Sequence, residues 1–237
     1  MSGGDAALLR GLERLRGDYP LFAAECLRIL DKQGAERPLI LNRAQRHLHD
    51  RIEAQRRDTG KVRAIGLKGR QQGFSTYVSG RFYHRVSLGL GQRARVITHQ
   101  QASTDDLFAM VRRMHAHNPL APRAGSATAK ELVFDRLDSG YKVATAGSKD
   151  VGRGGTAQML HGSEFAYWAN AQQHLAGIGN IIPDLPGSEI VIESTPNGRG
   201  NAFHDLWEAA SRGEIDYIPI FVPWYWQPEY RREPPEG

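Results

Sequence analysis

The chain has 237 residues, 40% hydrophobic and 24% charged, with a net charge of +5 and a single cysteine, Cys26. That length holds one large α/β core or two small domains; the lone cysteine excludes an intramolecular disulfide and fits a reducing compartment. Apolar runs such as Ile218–Val222 are too short to span a bilayer, and the charged start MSGGDAALLRGLERLR lacks the apolar stretch of a signal peptide, so a cytosolic protein is expected. The basic excess suits a polyanionic partner, but the scattered arginines suit a solvated surface equally well.

In chain order, Asp5 to Asp31 reads as helix, with Leu8, Leu9, Leu12 and Leu15 on one stripe, a break at Tyr19-Pro20, and a resumed apolar face over Phe22–Leu30. An extended Pro38–Leu41 leads to a second helix over Arg43–Arg57, N-capped by Asn42. Lys61–Leu67 is a strand, Lys68–Gly73 a turn, and Ser75–Ser87 a helix. Arg95–Thr98 (strand) and Thr104–His117 (helix) follow, then a hairpin of Leu132–Phe134 with Tyr141–Ala144. Gln158–His161, Glu189–Ile192 and Tyr217–Val222 are further strands, with a helix over Ala202–Ser211. Strands alternating with helices predict an α/β fold with a mostly parallel sheet, whose ligands bind at the carboxyl ends of strands.

Four segments carry candidate chemistry. Lys68-Gly69-Arg70-Gln71-Gln72-Gly73-Phe74-Ser75-Thr76 joins a strand to a helix, the setting of a phosphate-cradling loop. It departs twice from G-x-x-x-x-G-K-[ST]: Lys68 stands at the first glycine and Phe74 at the lysine, so an ordinary basic turn also fits. Ser75 is placed to bind Mg²⁺, and Lys68 and Arg70 remain as phosphate cations. Met159–Glu164 is an apolar strand ending in an acid that can polarise water. Ser163 there replaces the usual aspartate and offers Mg²⁺ only a neutral contact through water. Ser194-Thr195-Pro196-Asn197-Gly198 ends another strand, either as a γ-phosphate sensor or as a plain turn. Arg153, set between glycines eleven residues before Glu164, suits an arginine finger or a basic loop touching DNA phosphate.

The order of these segments resembles the ATPase domain of the large terminase subunit of tailed bacteriophages. The resemblance runs from about Pro38 to Tyr230 and is strongest in Gly69–Thr76, Gly152–Trp168 and Glu193–Gly198. It implies a P-loop NTPase of the ASCE type, with a mostly parallel sheet flanked by helices. The expected division is a helical N-terminal extension at 1–37, the ATPase domain at 38–230 and a tail at 231–237. The implied site binds ATP and Mg²⁺. Lys68, Gly69, Arg70, Gln71, Gln72, Gly73, Phe74, Ser75 and Thr76 hold the nucleotide phosphates, with Leu41 and Gln45 toward the adenine. Glu164 is the implied catalytic glutamate and Arg153 the arginine acting in trans. Ser194, Thr195 and Asn197 couple hydrolysis to movement, and Ser75 and Ser163 bear on the metal. The implied partners are double-stranded DNA, further copies of the chain in a ring on the portal, the portal protein and the small terminase subunit. No membrane is involved, and the setting is the host cytoplasm. The family's nuclease domain has no room after Pro223–Trp226, so nuclease activity is not expected. A helicase-like DNA-dependent ATPase and a non-hydrolysing P-loop module that binds DNA or protein are the alternatives.

The remaining candidates have plainer readings. His47/His49 and His115/His117 are spaced i, i+2, which on a helix points to different faces, so surface histidines are expected rather than metal ligands. Asp105 and Asp106 fit a helix start, and Trp207, Trp224 and Trp226 are expected to pack near the last strand.

Overall fold

The computed structural model describes residues 3–148 and 155–230. Its centre is an eight-stranded sheet in the order β10-β3-β9-β8-β4-β7-β6-β5. These strands are β3 (Val62–Lys68), β4 (Arg93–Thr98), β5 (Ser126–Ala127), β6 (Glu131–Phe134), β7 (Ser139–Thr145), β8 (Met159–Ser163), β9 (Glu189–Ser194) and β10 (Ile218–Val222). The run from β10 to β7 is parallel, and β6 and β5 extend it antiparallel. The predicted mostly parallel α/β sheet is therefore present.

Both faces of the sheet are covered, which explains the nearly continuous apolar strands. Val62, Ala64 and Val191 face a core built with α2 (Tyr19–Cys26), α3 (Arg43–Thr59), α4 (Phe74–Leu88) and α5 (Gln101–His117). Ile65, Ile190 and Ile192 point the other way, onto α6 (Ala171–Ile181), α7 (Ala202–Ser211) and the 3₁₀ turn Phe165–Tyr167. Among the described residues no helix is long and apolar enough to cross a membrane.

The expected helix over Phe22–Leu30 stops early. Leu27 is extended, and β1 (Arg28–Leu30) pairs antiparallel with β2 (Glu36–Pro38). Asp31 closes the hairpin by accepting from the Gln33 and Ala35 N–H groups, and Gly34 takes a positive φ of 80°. α1 (Gly3–Gly17) leaves Leu8 and Leu9 exposed, whereas Tyr19, Phe22 and Ala23 of α2 enter the main core. Asn42 caps α3 as expected, in a reciprocal box with Gln45. α5 begins at Gln101, so Asp105 and Asp106 lie in its second turn and not at its start.

His117 is exposed as expected, but His49 and His115 are not plain surface residues. His49 Nδ1 lies 3.0 Å from the buried Tyr77 hydroxyl, and His115 Nδ1 lies 3.0 Å from that of Tyr83. Among the described residues no His, Cys, Asp or Glu group has the makings of a metal site of three such ligands.

At the amino end of the sheet, Glu189 is wholly buried and takes a bidentate pair from Arg81 at 2.8 and 2.9 Å and a third bond from Arg85 at 2.7 Å. Arg81 also meets Glu53 at 2.5 Å. This network borders a cavity of about 980 Å³ lined by Arg16, Tyr19, His49, Glu53, Arg81 and Arg85, at the opposite end of the sheet from the Lys68–Gly73 turn.

Candidate functional site

The loop Gly69–Gly73 leaves the carboxyl end of β3 and enters α4. Two conformations make the turn: Gln71 at φ 52° and Gly73 at φ 76°. Gly73 has a second constraint, since a Cβ there would lie 2.7 Å from Gln45 Nε2. Gly69 is needed for close approach, because its Cβ would sit 2.8 Å from the Trp224 backbone. The segment after β10 therefore lies against the loop. Gln72 Nε2 donates to the Trp224 carbonyl, and the Tyr230 hydroxyl donates to that of Arg70, both at 3.1 Å.

Phe74 accounts for the missing lysine. Its side chain is buried and occupies the space a Cβ on Gly66 of β3 would need, 2.4 Å from the ring. A side chain at that position points into the core, so Phe74 can offer a ligand only its backbone N–H. Beside the loop lies a buried cation, Lys68, the last residue of β3. Its Nζ sits 2.8 Å from Glu164 Oε1 and 3.1 Å from Glu193 Oε2. Burial disfavours the charged lysine, but Glu193 and Glu164 outweigh it and hold its pKa above the ordinary value.

Glu164 follows β8 in a left-handed conformation at φ 53°, a sparsely populated setting for a glutamate that marks a held side chain. One oxygen meets Lys68. The other accepts from the Thr195 N–H and hydroxyl, each at 3.1 Å, and from the Ser194 hydroxyl at 3.3 Å. Asn197 Nδ2 donates to the Ala166 carbonyl at 3.0 Å, and the Tyr167 hydroxyl to that of Pro196 at 3.3 Å. A single carboxylate thus joins the loop lysine to the hydroxyl-rich end of β9.

Glu193, which was not among the candidate residues, occupies the centre of the cluster. It is wholly buried, and its Oε1 accepts from Ser75 Oγ and Ser163 Oγ, each at 2.8 Å, with His161 Nε2 at 3.3 Å. Burial opposes ionisation, yet Lys68 and the bonds from His161 and Ser75 hold its carboxyl well below the usual range. The available signal was a glutamate among apolar strand residues, immediately before Ser194.

The other candidates fall as follows. Thr76 lies half-buried on the first turn of α4, and Arg70 and Gln71 are exposed on the loop. Gln45 is buried against the loop but its amide is engaged: Oε1 accepts from the Asn42 N–H at 3.0 Å, and Nε2 donates to the Gly73 carbonyl at 2.9 Å. An adenine contact through that amide requires these bonds to break. Leu41 is a core residue whose carbonyl accepts from Arg46 Nε at 2.9 Å. Arg153 lies outside the described residues. Trp226 packs on His47 and under Arg43, whereas Trp224, expected to pack, is 57% exposed beside the loop.

No protein-family model matches the chain. Among solved structures it is similar to the large terminase of bacteriophage HK97, with a TM-score of 0.68 at 14% identity over 87% of this chain. The chain spans 43% of the length of that protein. The large terminase ATPase domain of Thermus phage P74-26 matches with a TM-score of 0.58 at 17% identity, over 80% of this chain and 84% of that one. The large terminase of a thermophilic bacteriophage, in complex with ADP, matches with a TM-score of 0.57 at 12% identity, over 76% of this chain and 44% of that one. The chain therefore has the fold of the phage large-terminase ATPase domain, a P-loop α/β fold.

Proposed function

We propose that the chain is the ATP-hydrolysing motor of a machine that packages double-stranded DNA into a viral procapsid. The observation that carries this reading is the continuous contact from Lys68 through Glu164 to Ser194 and Thr195, at the carboxyl ends of three adjacent parallel strands. A cation, a water-orienting carboxylate and a hydroxyl sensor in touch with one another are the parts needed for phosphoanhydride hydrolysis. The ADP complex of the thermophilic phage's terminase supports a nucleotide as ligand.

In this reading the N–H groups of the loop and the start of α4 receive the phosphates, and Lys68 leaves Glu164 to neutralise them. Glu164, released on one side and still held by Thr195 on the other, orients the attacking water and accepts its proton. A change at the γ-phosphate then reaches Ser194, Thr195 and Asn197 through the same carboxylate. Ser75 and Ser163 present hydroxyl oxygens, hard donors of the kind Mg²⁺ takes; the ion, when bound, neutralises phosphate charge. Arg153 acts in trans within a ring of copies seated on the portal, and the small terminase subunit and DNA complete the assembly in the host cytoplasm.

Nucleotide binding and ATP turnover, measured with long DNA at concentrations that allow assembly, test this. Glu164→Gln is expected to bind ATP with wild-type affinity while turnover drops about 10²–10⁴-fold, and Lys68→Ala to lose binding. A wild-type protein that neither binds nor hydrolyses ATP overturns the proposal. An unchanged rate in Glu164→Gln favours a non-hydrolysing binding module.

A further inference from the structure

We infer that the carboxylate holding the divalent cation in this site is Glu193 of β9, and that no acid of β8 does so. This rests on the nucleotide reading above. In P-loop enzymes the cation is held by the loop Ser or Thr and an aspartate at the end of the acidic strand. Here that aspartate position is Ser163, which is neutral.

The structure supplies the missing charge one strand away. Ser163 and Glu193 are direct partners in the parallel β8–β9 ladder, so the two residues stand at the same height above the sheet. The longer glutamate reaches across from its own strand. Its Oε1 is the common acceptor of Ser75 Oγ, at the start of α4, and Ser163 Oγ, both at 2.8 Å. The two hydroxyls that bear on the metal therefore converge on one buried carboxylate oxygen. The set is oxygen-only and anionic, as Mg²⁺ requires.

Charge balance points the same way. Glu193 is 0% exposed, and its Oε2 has no hydrogen bond, only the ion pair with Lys68 at 3.1 Å. If Lys68 moves to the phosphates of a bound nucleotide, Glu193 is left buried with only the Ser75 and Ser163 hydroxyls and the His161 imidazole as partners, an arrangement that costs stability. A divalent cation held by Ser75, Ser163 and Glu193 would restore the balance. The lysine and the metal are thus alternative partners of Glu193.

The test is ADP affinity of the full chain by calorimetry, with and without Mg²⁺, together with the Mn²⁺ paramagnetic resonance spectrum of the ADP complex. Wild type is expected to bind ADP more tightly with Mg²⁺ and to give a bound-Mn²⁺ signal. Glu193→Gln should weaken the metal-dependent part about 10–100-fold and lose the Mn²⁺ signal, while metal-free ADP binding does not weaken, because the neutral side chain releases Lys68 for the phosphates. The double variant Ser163→Asp/Glu193→Ser, which moves the charge back to β8, should recover much of both, and it carries the test if Glu193→Gln does not fold. A full Mg²⁺ gain in Glu193→Gln, or no recovery in the double variant, overturns the assignment and leaves the nucleotide reading standing. Absence of ADP binding by wild type under either condition removes both.

Discussion

Strand β9 carries a wholly buried carboxylate at each end, and the two are treated differently. Glu189, at the amino end, is saturated by two guanidinium groups, Arg81 as a bidentate fork and Arg85. Glu193, at the carboxyl end, is held by one lysine and two hydroxyls, with the His161 imidazole at 3.3 Å. Guanidinium pairs are rigid and permanently charged, which makes a fixed staple between α4 and the sheet. An ammonium on a flexible stem and rotatable hydroxyls can be exchanged for another cation. The same residue type, on the same strand, has fixed partners at one end and exchangeable ones at the other.

The largest expected effect breaks the staple. Glu189→Gln leaves Arg81 with Glu53 as its one carboxylate partner and should cost about 3–5 kcal/mol of stability, measured by denaturant unfolding. Glu193→Gln should cost only about 1–2 kcal/mol, because Lys68 keeps Glu164. Equal losses in the two variants would erase the distinction between the ends of β9.

Acid titration sharpens the same contrast. Burial raises the Glu189 carboxyl pKa, but Arg81 and Arg85 overcome this and bring it down to about 2, from an ordinary value of 4.5. A pKa depressed in the folded state contributes stability that is complete above pH 4.5 and is lost as pH falls toward 2. The gap between wild type and Glu189→Gln should therefore narrow across that window, by on the order of 2–3 kcal/mol, in unfolding curves at stepped pH. A constant gap would mean that the ion network is not what stabilises the amino end.

The smallest effect concerns the support beneath the loop. Gln45→Ala removes half of the α3 capping box and the bond to the Gly73 carbonyl. It should lower stability by about 1 kcal/mol, read as a shift in thermal midpoint. If ADP affinity falls much further than the midpoint implies, Gln45 turns to the nucleotide on binding.

Much of the fold was legible because its elements are locally consistent. The apolar strands of the parallel sheet, the Asn42 cap and the helix over Ala202–Ser211 all lie where the sequence pattern puts them. The misses have local causes. α6 carries Gly177 and Gly179, which weaken the helical signal. The β1–β2 hairpin follows an apolar run whose helical period continues past Cys26, and only pairing with Glu36–Pro38 draws it out. Lys68, Glu164, Ser194 and Thr195 were readable as candidates because each ends a strand beside turn residues. The metal contact assigned to Ser163 was read without the acid it donates to.

The sequence by itself determined the alternation of strands and helices, the place of the glycine-bearing turn between β3 and α4 and the order of the strand-end segments that follow it, all of which are written in local periodicity and turn chemistry. The tertiary structure alone decided which strand ends meet. The order β10-β3-β9-β8-β4 puts β9 between the loop strand and the acidic strand. Such long-range pairing leaves no trace in local periodicity, and it alone brings Glu193 between Lys68, Ser75 and Ser163. Phe74 shows the same division at a single residue: its departure from the usual motif is visible in the sequence, but its reason, the space above Gly66, exists only in the packed core.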